Sequence, residues 1–147
     1  MKNLKNRVLL FDCLFPGFLN ASAQIKGYWP TAKFDPSYDD VSIIQLIANP
    51  MAYDGKKVRL TGFLRIEFEG DAIYFHREDF KNSIMRNALW VDVPHDMTAT
   101  QKQDANMHYV LCEGVFRANR HGHMRLFSGE ISEVSRIQVF VERSRHS

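Results

Sequence analysis

The sequence predicts a small, mainly β domain: a five-stranded Greek-key barrel with a helix before its first strand and a short helix between its third and fourth. Three observations carry that expectation. Lys57 to Phe68 alternates apolar and polar residues at a period of two, with Gly62 at its centre. The phrase VRLTGFLR, Val58 to Arg65, recurs in outline as VLCEGVFR, Val110 to Arg117, again with a central glycine. Short alternating runs divided by turn residues fill most of the remaining chain as far as Ile137.

The first element is a helix. Ser42 suits its N-cap, and Ile43, Ile44, Leu46 and Ile47 form one apolar face with Gln45 away from it. Asn49-Pro50 ends it, because proline disfavours helical geometry in the preceding residue. Asp54-Gly55 turns the chain into the first strand. Val58, Leu60, Leu64, Ile66 and Phe68 share one face of that strand; Lys57, Arg59, Thr61, Phe63, Arg65 and Glu67 share the other. A glycine inside a long strand weakens it unless the strand must bend sharply or bulge there, which is what closing a small barrel demands.

Glu69-Gly70-Asp71 is a tight turn into a second strand, Ala72 to His76. Residues 77–87 are polar with scattered Phe80, Ile84 and Met85, which fits a loop with a helical turn. Ala88 to Val93 is a third strand with Leu89, Val91 and Val93 inward and Trp90 and Asp92 outward. Thr98 to Ala105 fits a turn or two of helix, and Met107 to Phe116 a fourth strand. Asn119 to Gly122 makes a hairpin turn, with the fifth strand running from His123 and kinking at Ser128-Gly129. Five strands with a helix after the third is the order of an OB-fold; the alternative is a small open sheet or sandwich with one helix at an end.

The N-terminal residues have a different character. Lys2, Lys5 and Arg7 begin the chain, Val8 to Leu19 is largely apolar, and Ala21-Ser22-Ala23 is small-x-small. That three-part layout predicts a signal peptide over residues 1–23, cleaved after Ala23, although Asp12 and Pro16-Gly17 interrupt the apolar region. Residues 24–40 read as an extended arm, with Trp29 packed on the domain, 41–141 as the folded domain, and 142–147 as a polar tail. Cleavage removes three of the 19 Lys and Arg and one of the 17 Asp and Glu, leaving 16 of each and no net charge. Cleavage also removes Cys13 and leaves Cys112 alone, which excludes a disulfide within the mature chain. A periplasmic or secreted location follows, or a cytoplasmic one if the leader is retained. No other long apolar run follows, so no membrane span is expected.

The segment NPMAYDGKKVRLTGFL, Asn49 to Leu64, resembles the opening of the OB-fold group that includes the tRNA anticodon-binding-like bacterial domains. There an Asn-Pro-x-x-Tyr-x-Gly-Lys turn feeds the first strand. SIIQLIANP, LRIEFEG, the Trp90 strand and GHMRLFSGEI are similar to a family of small uncharacterised bacterial proteins, and the likeness covers Val41 to Ile137. Arg125 stands where that family has a glycine-like position. The resemblance implies the barrel fold and carries over no activity or catalytic residue.

Motifs for chemistry are sparse. The chain has no G-x-S-x-G, no phosphate-binding glycine loop, no H-E-x-x-H and no G-x-G-x-x-G, so it is read as no enzyme, with no cofactor. His121-Gly122-His123 offers two imidazoles without a third ligand nearby, and no metal site is assigned. Glu67, Glu69, Asp71, Glu78 and Asp79 read as a solvated hairpin rather than an acid–base pair. The candidate ligand-binding face is the outward surface of the first three strands: Arg59, Phe63, Arg65, Tyr74, His76 and Trp90. Aromatic rings interleaved with arginines suit nucleobases, sugar rings or a peptide strand. If the N-terminal arm or residues 77–87 cover Phe63 and Trp90, no site exists there. The expectation is an exported, non-enzymatic module that binds a polymer or protein partner through this face. The alternatives are a cytosolic binder of single-stranded nucleic acid and an inhibitor or interaction protein for a specific enzyme.

Overall fold

The computed structural model describes residues 27–28 and 34–140. The expected leader, Trp29 and the polar tail lie outside them. In chain order the strands are β1 (Gly27–Tyr28), β2 (Asp39–Asp40), β3 (Lys57–Arg65), β4 (Ala72–Tyr74), β5 (Ala88–Val91), β6 (His108–Arg117) and β7 (Glu130–Val139). The helices are α1 (Ile43–Ala48), α2 (Pro50–Tyr53), α3 (Arg77–Lys81) and α4 (Ala99–Ala105).

Five of the strands close on themselves. β3 pairs antiparallel with β4, β4 with β5, and β6 with both β3 and β7. A parallel contact between β5 and β7, Trp90 opposite Glu130 and Val91 opposite Ile131, completes the ring. With α4 between the third and fourth barrel strands, this is an OB-fold-like barrel. β1 and β2 extend the sheet along β7 and β3.

The alternation read from the sequence packs the interior. Val58, Leu60, Leu64, Ile73, Leu89, Val91, Val110, Cys112, Phe116, Ile131 and Ile137 meet in one buried cluster. α1 contributes Ile43 and Leu46, and Met97 and Ala105 at α4 add further buried side chains. Ser42 caps α1 reciprocally with Gln45, and Thr98 caps α4 in the same way with Gln101.

Both central glycines sit where a neighbouring strand comes close. A Cβ on Gly62 would stand 2.6 Å from the Ile73 side chain and 2.7 Å from the Tyr74 carbonyl oxygen. On Gly114 it would stand 2.6 Å from Ile131 and 2.8 Å from the Ser132 oxygen. β6 carries a bulge between Glu113 and Val115, so the register shifts at that glycine.

Three boundaries differ from the sequence expectation. β3 stops at Arg65, and Phe68 sits on the hairpin tip, 92% exposed. The second strand ends at Tyr74 because His76 becomes the N-cap of α3. The fifth strand begins at Glu130, since residues 123–125 form a 3₁₀ turn with Met124 and Arg125 at positive φ.

A candidate binding groove on the outer barrel wall

The six residues expected to form one face are divided by the fold. Phe63 is fully buried and Tyr74 is 4% exposed. Phe80 of α3 lies over both, with ring centroids 5.8 Å from Phe63 and 5.5 Å from Tyr74. Tyr109 of β6 meets Phe63 edge-on at 5.5 Å. Trp90 is half-buried; its ring packs edge-on against Phe127 at 5.6 Å, and Gly122 approaches so closely that a Cβ there would stand 2.4 Å from the indole. Arg65 is drawn aside by Glu67 at 2.8 Å and by the Asn106 side chain at 3.2 Å. Residues 77–87 and the loop before β7 therefore cover the stacking surface. The expected face is not an open one.

Arg59 and His76 come together elsewhere. They line an open cavity of about 670 Å³ on the outer side of β3 and β6, together with Asp40, Val41, Ser42, Gln45, Leu60, Thr61, Phe75, Tyr109 and Leu111. Thr61 and Leu111 are register partners in the floor. One wall is the end of β2 and the start of α1; the other is the segment leaving β4, where the His76 ring lies 4.1 Å from that of Phe75. A second hollow continues the groove past His76, Arg77, Glu78 and Tyr109.

Arg59 anchors the first wall. Its side chain is 7% exposed, and its Nε donates to Glu113 Oε1 at 2.6 Å. Its other nitrogens donate to Asp40 Oδ1 at 3.2 Å and to the Asp35 carbonyl at 2.8 Å, while Phe34 covers the guanidinium at 4.4 Å. Arg136 approaches the far side of the buried Glu113 carboxylate at 3.6 Å. Burial works against the charge on Arg59, but the hydrogen bond to Glu113 and the charges of Glu113 and Asp40 outweigh it, so its pKa lies above the ordinary value. The positive charge in this wall is already satisfied.

The sequence placed Thr61 on the same strand face as Arg59, but it missed Tyr109 and Leu111 as neighbours of Arg59 and His76. Leu111 carried a usable signal: it is an apolar residue on the outward side of a strand whose inward side holds Val110 and Cys112. The pairing of β3 with β6 that assembles the floor is long-range and left no local trace.

His121 and His123 do not converge. His121 Nδ1 lies 3.0 Å from the Phe127 carbonyl oxygen, whereas His123 faces Glu69 at 4.0 Å. Among the described residues no three His, Cys, Asp or Glu side chains come together as metal ligands. No helix among them is long and apolar enough to cross a membrane.

Compared with protein-family models, with curated proteins and with solved structures, the chain matches none.

Proposed function

We propose that this protein is a non-enzymatic binding module, exported by the cell that makes it, which holds a polymer or protein partner in the groove over Thr61 and Leu111. The groove itself carries the reading. Its volume of about 670 Å³ falls in the range of ligand sites, and apolar walls with a few convergent polar groups are what such sites use. Export rests on the three-part leader over residues 1–23. The nucleic-acid alternative has less support, because a phosphate backbone needs cations that are not already neutralised. Arg59 is tied to Glu113 and Asp40, and Arg65 to Glu67.

Amide chemical-shift mapping tests the site. Three probes are titrated in turn: a blocked peptide alternating valine and threonine, cellohexaose and oligothymidylate. Shifts confined to residues 59–61, 75–76 and 109–111 with any one probe support the groove. Shifts elsewhere, or none with all three, remove it. For export, the periplasmic fraction of a bacterial host is expected to yield a species that begins at Gln24; a full-length cytosolic species contradicts it.

A further inference from the structure

We infer that the groove takes an extended polypeptide, which adds its main chain to the exposed edge of β3 at Thr61; this rests on the groove being the binding site. The edge of β3 that faces away from β6 is shared by two strands. β2 pairs with Val58 and Arg59, and β4 pairs with Phe63, Leu64 and Arg65. Between Arg59 and Phe63 lies about 13 Å of strand. There the two flanking segments diverge, one into α1 at Ser42 and the other into α3 at His76.

Alternation decides where the Thr61 main chain points. The carbonyls of Lys56 and Leu64 accept from Phe116 and Met107, on the β6 side. The Arg59 carbonyl accepts from Val41, on the opposite side. Successive residues of a strand direct their main-chain groups to alternate edges. The N–H and C=O of Thr61 therefore point into the gap, and neither has a partner among the described residues. One donor and one acceptor, side by side on a strand edge, match the two groups that a peptide residue offers to a β-ladder.

Charge and shape agree. Arg59 is balanced by Glu113 and Asp40, and in the continuing hollow Glu78 is bridged by Lys81 at 2.8 Å. An uncharged chain therefore fits better than a polyanion. Val41, Phe75, Tyr109 and Leu111 offer apolar surface to alternate side chains of that guest. Sugars have hydroxyls to bond with, but no paired amide and carbonyl at peptide spacing.

The test starts from a displayed library of random heptapeptides selected on the full domain. The best binder is then made in two N-methylated forms, each blocking the amides along one edge of the extended peptide. The inference expects enrichment of uncharged sequences with alternating apolar residues. One methylated form should lose at least about tenfold in affinity while the other binds nearly as well as the parent. Thr61→Ala should stay within about threefold of wild type, because the recognition is by main chain, and Leu111→Arg should lose at least about tenfold. No enrichment, equal tolerance of both methylated forms, or a large loss with Thr61→Ala overturns the inference. Shifts at Thr61 and Leu111 from cellohexaose or oligothymidylate, with none from any selected peptide, overturn the peptide claim but leave the groove as the site. Selected peptides that map to Phe68 and Met124 remove both.

Discussion

Gly62 and Gly114 act by absence of a side chain, not by unusual backbone angles. Each lets a neighbouring strand come within about van der Waals contact of the main chain, and Gly62→Ala would force a methyl against the Tyr74 carbonyl, which cannot move away as a flexible side chain would. A loss of about 1–3 kcal/mol in unfolding free energy is expected, measured by urea denaturation. An unchanged midpoint would show that the close approach of Ile73 and the Tyr74 carbonyl tolerates a Cβ. This device was legible because both glycines interrupt otherwise regular alternation. The Arg59–Glu113 pair was not, since the partners are far apart in sequence and meet only through the β3–β6 register.

Cys112 belongs to the same scale. Burial, and then the charge of Glu113, push its thiol up to about 12. The native state then keeps a proton that the unfolded chain has already lost. Stability is unaffected below the ordinary thiol value of 9.0 and falls as pH rises from there toward about 12. Urea midpoints measured between neutral and alkaline pH are expected to fall more steeply for wild type than for Cys112→Ala. Parallel slopes would mean that the thiol is not held protonated.

Among the elements, α3 explains why the aromatic-arginine face reads so differently from what it becomes. The alternation that turns Phe63 outward from the barrel was legible. Its covering was not, because Phe80 is a single aromatic in a polar stretch and its contacts with Phe63 and Tyr74 are tertiary. Phe80→Ala removes that cover and is expected to cost about 1.5–3 kcal/mol, read by urea denaturation. A loss below about 0.5 kcal/mol would mean that the rings beneath Phe80 do not depend on it. The strand ends show a related effect. The period of two continues through Phe68 in the sequence, yet β3 ends at Arg65, where Asn106 takes over: its side chain accepts from Ile66 N at 2.8 Å and from Arg65. The fifth strand starts late because Met124 and Arg125 adopt left-handed angles that no residue type there advertises.

At the scale of the whole molecule, closure turns these local facts into a site. The parallel contact of β5 with β7 completes the barrel, and the groove lies on its outer wall. There α3 and the loop before β7 cover one part of the wall, and residues 34–40, latched through Arg59, border another. The groove over Thr61 and Leu111 is what remains between them. The comparison that tests this most directly sets Leu111→Arg against Trp90→Ala, each measured for affinity toward the selected heptapeptide and for urea stability. Leu111→Arg is expected to lose at least about tenfold in affinity with little change in stability, and Trp90→Ala to lose stability, by about 1–3 kcal/mol, while still binding. If Trp90→Ala abolishes binding in a folded domain and Leu111→Arg binds normally, the ligand uses the covered face and the groove is not the site.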